Sequence, residues 1–356
     1  FIKIILRSIF VTGGAGFIGS HTCLLLLQNG FQIYVVDSFI NSSPKSLNKV
    51  LLILNNFGID VDSKLHVFKA DLKNEKKIEA IFHEAYANNK SFEAVIHFAG
   101  LKSVSESISE PLKYWENNVT GTINLLKVME KYNCKTIVFS SSATVYKSKT
   151  EELLYEEDFC EPINPYGYTK HTVEGILKNL FNCETSHWRI ICLRYFNPVG
   201  AHHTGLIGED PCGKPNNIYP QITKVAVGKL DEIKIFGSDW PTNDGTGIRD
   251  YIHVMDLAEG HLSALNYLLN HKPQFLIINL GTGRGTSVLK LIKTFEKINK
   301  VKIPITFVER RKGDNAFVVA DNSKATELLK WSPKKSLEDI CRDGWNWQLK
   351  NPDGFL

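Results

Sequence analysis

The glycine-rich segment at residues 12–19 constrains the fold of this 356-residue chain more than any other part of its sequence. G-x-G-x-x-G spacing falls on Gly14, Gly16 and Gly19, and G-x-x-G-x-x-G spacing falls on Gly13, Gly16 and Gly19. A predicted strand at 9–12 precedes the segment, and a predicted helix at 20–28 follows it. Glycines there allow a tight turn and a close approach to a pyrophosphate, whose charge is favoured at the N-terminus of a helix. In this context the segment predicts a dinucleotide site rather than a purely structural turn.

Short β-branched runs alternate with helical patterns through the first half of the chain. The runs predict strands at 9–12, 33–36, 65–69, 94–98, 137–140 and 190–195. Most are almost continuously apolar, as expected for strands buried on both faces. One intervening helix repeats Val173, Ile176, Leu177 and Leu180 at helical spacing. The alternation predicts an α/β fold with a doubly wound parallel sheet, the Rossmann arrangement.

The sequence changes character after residue 196. Gly, Pro, Asn and Asp become frequent at 198–220 and 237–247, which is typical of functional or mobile loops. A strand at 276–280 and a helix that carries Val288, Leu291 and Phe295 indicate a smaller α/β lobe. We expect residues 1–196 to form the Rossmann domain, with a return to it around 249–285. Residues 197–248 and 286–356 are expected to form the smaller lobe.

An acidic residue follows the second predicted strand. Asp37 comes directly after Val36, downstream of the glycine segment. A carboxylate at this place can accept hydrogen bonds from an adenosine ribose and would repel a 2′-phosphate. The glycine segment and Asp37 together predict NAD as the cofactor, in preference to NADP.

Composition excludes several classes of function. The formal net charge is only +4 and the lysines are dispersed, which argues against nucleic-acid binding. The seven cysteines show neither C-x-x-C nor metal-ligand spacing, so we expect no metal site and favour a reducing, cytoplasmic location. The apolar N-terminal residues contain Lys3 and Arg7 and are too few to span a membrane. No signal-peptide pattern follows them.

Tyr166 and Lys170 form a candidate acid–base pair. Four positions apart on a helix, they lie on the same face. A nearby ammonium favours the phenolate, so we expect Lys170 to lower the pKa of Tyr166 and make it a usable base. Ser142 ends a predicted strand, where sites form in such sheets, and its hydroxyl can bind a substrate hydroxyl.

Five longer runs resemble the extended short-chain dehydrogenases/reductases and, within them, the UDP-galactose 4-epimerases, over almost the whole chain. The runs are Val-Thr-Gly-Gly-Ala-Gly-Phe-Ile-Gly-Ser-His-Thr (11–22), His-Phe-Ala-Gly-Leu-Lys (97–102), Phe-Ser-Ser-Ser-Ala-Thr-Val-Tyr (139–146), Arg-Tyr-Phe-Asn-Pro-Val-Gly-Ala (194–201) and Asp-Gly-Thr-Gly-Ile-Arg-Asp-Tyr-Ile-His-Val-Met-Asp (244–256). The last two are the most specific, because they belong to the sugar-nucleotide lobe of that family.

The resemblance implies roles for three groups of residues. Tyr166 would be the base, Lys170 would hold the nicotinamide ribose and lower the pKa of the tyrosine, and Ser142 would assist. The other implied NAD-binding residues are Gly13, Gly16, Phe17, Ile18, Gly19, Asp37, Asn41, Ser42, Asp71, Leu72, Phe98, Ala99, Gly100, Lys102, Asn117, Ser140 and Tyr195. The implied UDP-sugar residues, besides Ser142, are Asn197, Asn216, Asn217, Ile218, Phe236, Arg249, Arg311, Asp314 and Val318.

The implied reaction is the reversible inversion of C4 in UDP-glucose and UDP-galactose. Tyr166 would take the proton of the 4-hydroxyl while hydride passes from C4 to bound NAD. The 4-keto sugar would then turn over, with UDP still anchored, and receive the hydride on its other face. Val318 stands where the family has either a bulky aromatic or a small residue, so its size predicts that N-acetylated UDP-sugars are also accepted. The family also implies a homodimer, through helices within 119–131 and 170–182.

Two rival interpretations remain open. A nucleotide-sugar 4,6-dehydratase of the same fold would carry an Asp-Glu pair after the strand end, where this chain has Ala143 and Thr144. A non-catalytic NAD-sensing relative would commonly lack the tyrosine or the lysine, and both are present. The chain also has Lys147 where the family usually has glycine, which predicts an altered loop but unchanged chemistry.

Overall fold

The computed structural model of the protein describes residues 7–61, 63–147, 149, 152–184, 187–211, 217–311 and 314–355. Its largest sheet contains β1 (Ser8–Thr12), β2 (Gln32–Asp37), β3 (Leu65–Lys69), β4 (Phe92–His97), β5 (Thr136–Ser142), β6 (Arg189–Tyr195) and β11 (Gln274–Leu280). The seven strands lie in the order β11-β6-β5-β4-β1-β2-β3, and all neighbouring pairs are parallel.

Helices cover both faces of this sheet. One face carries α1 (Phe17–Gln28), α2 (Lys45–Asn56) and α9 (Val254–Asn270), and the other carries α3 (Glu75–Ala87), α6 (Gly121–Lys131) and α7 (Pro165–Asn182). Because side chains alternate along a strand, Ile9 and Val11 join the first apolar core while Phe10 joins the second. Between β4 and α6 lie α4 (Val104–Ser109), α5 (Pro111–Tyr114) and a π-helical segment, Trp115–Thr120.

The remaining elements are shorter and form three small sheets. The strands are β7 (Asn197–Val199), β8 (Ile233–Phe236), β9 (Ile248–Arg249), β10 (Tyr251–His253), β12 (Thr286–Ser287), β13 (Ile305–Val308) and β14 (Phe317–Val318), and the helices are α8 (Ile218–Ala226), α10 (Val288–Asn299), α11 (Ser323–Leu329) and α12 (Leu337–Lys350). The sheets pair β10 with β7, β13 with β8, and β12 and β14 with β9. A separate core unites α8, α10 and α12 through side chains such as Tyr219, Phe295 and Ile340.

The doubly wound parallel sheet confirms the predicted fold class, and all six strands predicted in the first half are present. Helix α1 begins at Phe17, earlier than predicted, because Gly16 already serves as its N-cap. The strand predicted at 276–280 is β11, which lies within the expected return around 249–285 rather than in the smaller lobe. It pairs with β6 at the edge of the main sheet, and α9 supplies the crossover before it. Among the described residues, no helix is both long and apolar enough to cross a membrane.

Candidate active site

The glycine turn between β1 and α1 is as tight as its spacing predicts. Gly13 has φ +68°, and a Cβ on it would lie 2.7 Å from the Ala99 nitrogen. A Cβ on Gly19 would lie 2.3 Å from the carbonyl oxygen of Gly13. The N-cap residue Gly16 offers no side chain to the first turn of α1, and that turn contains no acidic residue. The amides at this helix N-terminus therefore suit an anion such as a pyrophosphate.

Asp37 ends β2 beside this turn. One carboxylate oxygen accepts from the Ala15 amide at 3.0 Å, and the other accepts from the Phe39 amide at 2.9 Å and from the Ser42 hydroxyl at 2.8 Å. The carboxylate is therefore held in a fixed orientation next to the glycines. Asp37 and the glycine turn together form a cradle that fits the adenosine half of NAD.

The other implied adenosine-side residues lie on the loops that follow β2 and β3. Asn41 is exposed and lines a cavity described below, while Leu72 is buried. The carbonyl of Leu72 accepts from Asn124 at 3.2 Å, and Asp71 accepts from the Lys73 amide at 2.9 Å. Phe17 and Ile18 open α1 and are half-buried.

Helix α7 carries the predicted acid–base pair. Asn164 caps it by accepting from the Gly167 amide at 2.9 Å, which typically stabilises a helix by about 1 kcal/mol. A Cβ on Gly167 would lie 2.7 Å from the Thr144 carbonyl oxygen, so glycine allows the helix start to approach the end of β5. The Lys170 ammonium lies 5.9 Å from the centre of the Tyr166 ring and donates to the Ser140 carbonyl at 2.7 Å.

The pKa of Tyr166 does not follow the sequence-based expectation. Burial raises it above the ordinary value, and only the hydrogen bond with Ser142 acts to lower it. Burial also lowers the pKa of Lys170 to about 8, although the charge of Glu174 raises it. The expectation that Lys170 lowers the pKa of Tyr166 is therefore wrong for the protein alone, because burial raises this pKa by more than the hydrogen bond with Ser142 lowers it.

Ser142 is oriented by the short turn after β5. Its oxygen accepts from the Thr144 amide at 3.2 Å and from the Thr144 hydroxyl at 3.0 Å. With both lone pairs engaged, the Ser142 proton is directed elsewhere, and Tyr166 is one partner. Ala143 and Thr144, in the 3₁₀ turn Ala143–Val145, place no carboxylate at this strand end.

The strand ends beside β5 carry three further implied cofactor residues. Tyr195, at the end of β6, is hydrogen-bonded through its hydroxyl to His261 of α9. The Phe98 ring packs 4.8 Å from the same imidazole, and the Ala99 amide donates to Thr12 at 3.2 Å. Burial lowers the pKa of His261 to about 4, so the imidazole is neutral and holds Tyr195 without adding charge.

A cavity of about 580 Å³ opens where the main sheet meets the smaller elements. Asn41, Lys102 and Asn217 line it, together with Glu209, which the sequence did not indicate. The Glu209 carboxylate accepts from Lys102 at 3.0 Å and from Asn217 at 3.2 Å. It therefore connects an implied cofactor residue with an implied substrate residue.

The remaining implied UDP-sugar residues lie on the small sheets. Arg249 on β9 donates to the carbonyls of Ile248 and Asn315, both at 2.8 Å, and approaches Asp314 at 3.9 Å. Val318 on β14 pairs with Arg249 and packs against the cluster that contains Val145 and Phe196.

Three more of these residues sit at neighbouring element ends. The guanidinium of Arg311 lies 4.1 Å from the centre of the Phe236 ring. Asn197 begins β7, and Ile218 begins α8. Asn216 lies outside the described residues, so its predicted role stays a prediction.

Sequence reasoning missed Asn118, next to the implied residue Asn117. Asn118 lies in the π-helical segment, a form that often marks functional sites. Its amide binds both backbone groups of Leu101 and donates to the Thr169 hydroxyl at 3.1 Å. Asn117 instead donates to the Lys113 carbonyl at 2.7 Å. The sequence does not show which of the two asparagines faces inward, because a π-helical turn changes the spacing at which side chains share a face.

Comparison with known proteins agrees with this arrangement. The family model described as GDP-mannose 4,6 dehydratase matches residues 10–344. UDP-glucose 4-epimerase 2 of Arabidopsis thaliana is 49% identical over 349 residues, which is 98% of this chain and 97% of the relative.

Two crystal structures are similar over nearly their full length. One is a UDP-glucose 4-epimerase from Stenotrophomonas maltophila with bound NAD and formylated UDP-arabinopyranose, with a TM-score of 0.91 and 42% identity over 97% of this chain and 99% of that chain. The other is a UDP-glucose 4-epimerase from Bifidobacterium longum in complex with NAD+ and UDP, with a TM-score of 0.90 and 44% identity over 98% of this chain and 100% of that chain.

Proposed function

The chain belongs to the UDP-glucose 4-epimerase family, and from this membership we propose that it interconverts UDP-glucose and UDP-galactose with NAD as a bound cofactor. The observation that carries the proposal is the meeting of Tyr166, Lys170 and Ser142 at the end of β5, beside the glycine turn. A dehydratase would need an acid and a base after this strand, and Ala143 and Thr144 supply neither.

Bound NAD supplies a hydride acceptor that returns the hydride later in the same turnover. The residues of this chain bind and orient the substrate, and they move the proton. In its deprotonated form, which the positive charge of Lys170 favours, the Tyr166 phenolic oxygen takes the proton of the sugar 4-hydroxyl and gives it back after inversion. Ser142 supports this transfer because its hydrogen bond with Tyr166 acts to lower the pKa of the phenol. Lys170, with a pKa of about 8, is mostly protonated near neutral pH and keeps a positive charge beside the phenol.

The UDP-sugar is proposed to bind across the small sheets. Arg249 and Arg311 offer guanidinium forks suited to a diphosphate, and Phe236 offers an aromatic face for a planar base. Binding energy from the nucleotide, remote from the reacting carbon, permits the hexose to be held loosely enough to present either face. Asn197, Asn217, Ile218 and Asp314 complete this proposed site.

The experiment that tests the function is incubation of the pure protein with UDP-galactose and no added cofactor, followed by NMR or coupled-enzyme detection of UDP-glucose. Conversion is expected, and it would also indicate that NAD arrives bound. If no UDP-glucose forms even after NAD is added, the epimerase proposal fails. A UDP-4-keto-6-deoxy sugar as product would favour the dehydratase, and NAD binding without turnover would favour the sensor.

A second activity, on N-acetylated UDP-sugars, is favoured by Val318. This side chain packs against the cluster that contains Val145 and Phe196, and it is smaller than an aromatic ring. The space that a larger residue would fill is proposed to admit the N-acetyl group of UDP-N-acetylglucosamine and UDP-N-acetylgalactosamine.

We propose that the protein is a homodimer. Large apolar side chains are exposed on α4, α5, the π-helical segment and α7: Ile108 (63%), Leu112 (82%), Trp115 (36%) and Tyr168 (47%). The first three elements pack against α7, so these residues belong to neighbouring helices. The resemblance implies dimer helices within 119–131 and 170–182. In α6, which lies in the first range, Lys127 and Lys131 pair with Glu75 and Glu79 of α3, so we place the proposed contact on the exposed apolar residues instead. A Leu112→Glu variant is expected to sediment as a monomer; an unchanged dimer would contradict this face.

The location and the domain division stay proposals. Five cysteines in the described part of the chain are free thiols, namely Cys23, Cys134, Cys160, Cys192 and Cys341. They support a reducing compartment, proposed to be the cytoplasm. We propose residues 1–196 with the return around 249–285 as the NAD-binding domain. Residues 197–248 and 286–356 are proposed as the UDP-sugar lobe, whose separate core around α8, α10 and α12 supports the division.

A further inference from the structure

A second charged pair is buried directly behind the proposed catalytic groups. Glu174 lies on α7 about one turn beyond Lys170 and two turns beyond Tyr166. Arg194 stands just before Tyr195 in β6. Its guanidinium binds the Glu174 carboxylate as a fork, with Nε at 3.0 Å from Oε1 and Nη2 at 2.7 Å from Oε2. Both side chains are almost fully buried, at 2% and 4% exposure.

The pair also holds the strand end that carries the serines. The Ser141 hydroxyl donates to Glu174 Oε1 at 2.5 Å. Ser141 stands between Ser140, whose carbonyl accepts from Lys170, and Ser142. Successive side chains of a strand point to opposite faces, so an anchor on Ser141 fixes the orientation in which Ser140 and Ser142 face the other way.

Arg194 is engaged on its remaining sides as well. Nη1 donates to the Glu156 carbonyl at 3.2 Å, and the guanidinium lies 4.6 Å from the centre of the Tyr146 ring. A buried ion pair seldom adds net stability over a well-packed apolar pair. The place of this pair, bound to Ser141 and one turn from Lys170, therefore points to a role in the reaction.

From these contacts we propose that Glu174 and Arg194 are positioning residues for the proton transfer by Tyr166. They fix residues 140–142 against α7, and they set the charge that surrounds Lys170. The inference rests on the proposed epimerase function, because Lys170 needs a defined charge only if Tyr166 exchanges protons with substrate.

The charge balance around Lys170 gives the proposal a measurable consequence. The ionisable groups that face Lys170 are Tyr166 and Glu174 on α7 and His97 on β4. On β6, Arg194 binds Glu174 and Tyr195 interacts with Tyr166. Burial lowers the pKa of His97 to about 3, so it is neutral across the working range. The charge of Glu174 raises the pKa of Lys170, against burial, which lowers it to about 8. Removal of the Glu174 charge alone should lower the pKa of Lys170 further.

The test is the pH dependence of kcat for UDP-galactose in the full-length, NAD-loaded protein. Glu174→Gln keeps the shape and removes the charge, whereas Arg194→Lys keeps the charge and loses the fork. We expect Glu174→Gln to move the alkaline limb, where Lys170 loses its proton, to lower pH by about half a unit to one unit. We expect Arg194→Lys to lower kcat by about 10-fold without moving the limb.

The control is Asp343→Asn, which removes a similarly buried carboxylate that pairs with His253 at 3.3 Å, away from Lys170. It is expected to leave the limb in place. If the wild type is active, two results would overturn the positioning role. One is an alkaline limb that stays in place in Glu174→Gln, and the other is a limb that moves equally in Asp343→Asn. An inactive wild type would instead refute the proposed function.

A milder variant covers the case in which Glu174→Gln does not fold. Ser141→Ala removes only the link between Glu174 and the strand end. It is expected to lower kcat by about 3-fold to 10-fold, with the KM for UDP-galactose unchanged, because only the orientation of reacting groups is lost. A wild-type kcat in a folded Ser141→Ala variant would overturn the proposal.

Discussion

The end of β5 and the small sheets make an informative contrast. At the end of β5, Ser140, Ser142 and Lys170 are each 9% exposed or less, and their polar atoms are held by backbone and buried side chains. On the small sheets, Phe236 and Arg249 are half-buried and Arg311 is exposed, on strands of two to four residues or beside them. The groups that move a proton are buried, and those proposed to hold the nucleotide are more exposed.

The difference has a chemical reason. Proton transfer requires its groups to be held within fractions of an ångström, and buried hydrogen bonds provide such order. A sugar that must present both of its faces requires that the protein bind its nucleotide firmly and leave its hexose ring able to rotate. We therefore expect substitutions at the end of β5 to lower kcat and substitutions on the small sheets to raise KM.

The largest effect is expected from Tyr166→Phe. Loss of the phenolic oxygen removes the group that carries the proton, so kcat for UDP-galactose should fall by about 10²-fold to 10⁴-fold. The bound NAD content, read from absorbance after denaturation, should not change. Tyr168→Phe is the matched control, since Tyr168 is 47% exposed on the same helix, and it should keep wild-type kcat. Equal activity in the two variants would remove Tyr166 from the mechanism.

Two adjacent arginines test the other side of the comparison. Arg311 stacks on Phe236, whereas Arg310 stacks on Trp240 and binds Asp239 at 2.7 Å. Arg311→Ala should raise the KM for UDP-galactose by about 10-fold to 100-fold, from the loss of charged hydrogen bonds to the diphosphate, with little change in kcat. Arg310→Ala should leave both constants near wild type. Steady-state kinetics on both variants measures these constants. A lowered kcat in Arg311→Ala would contradict a role in binding alone.

Val318→Tyr sharpens the comparison at the hexose. The larger side chain should fill the room that we propose for the N-acetyl group, beside the cluster that contains Val145 and Phe196. Turnover of UDP-N-acetylgalactosamine is expected to fall by about 10²-fold, while that of UDP-galactose stays within about 3-fold. NMR of both reactions with the same enzyme batch provides the measurement. N-acetyl turnover that survives the substitution would disprove the role of Val318.

A smaller effect concerns acid stability of the strand-end region. Burial lowers the pKa of His97 to about 3, below the value near 6.5 in the unfolded chain, and the ring is held by Thr12 at 2.7 Å and Thr122 at 2.8 Å. Because the unfolded chain binds the proton more readily, the stability that this group contributes is present above pH 6.5 and is lost as pH falls towards 3. The Tm should thus drop by about 5 °C between pH 7.5 and pH 5.

Variants of two histidines assign that acid sensitivity. His97→Gln should lower the Tm at pH 7.5 and make it depend less on pH than in the wild type. His83→Gln, at an exposed position on α3, should leave the pH dependence intact. Thermal melts followed by circular dichroism between pH 5 and pH 7.5 would measure this dependence. If Tm changed equally with pH in all three proteins, His97 would not be the source of the acid sensitivity.

Much of the strand-end region could be predicted from the sequence, because its signals are local. The glycine turn, the four-residue spacing of Tyr166 and Lys170 and the serine strand end depend on neighbours in the chain. The missed residues depend on long-range contacts: Glu209 joins Lys102 to Asn217, and Arg194 joins β6 to α7. The direction in which the pKa of Tyr166 shifts could not be predicted either, since it depends on how much water folding removes from around the phenol.

The sequence by itself determined the alternation of strands and helices, the dinucleotide turn and the identity of the reacting side chains. Each follows from backbone geometry or residue chemistry over a few neighbouring positions. Only the tertiary structure decided that β11 pairs with β6 and that Asn118 rather than Asn117 faces Thr169. It also decided that Glu174 and Arg194 pair behind Lys170. These outcomes depend on which distant surfaces are buried together, and burial is a property of the whole fold rather than of any segment.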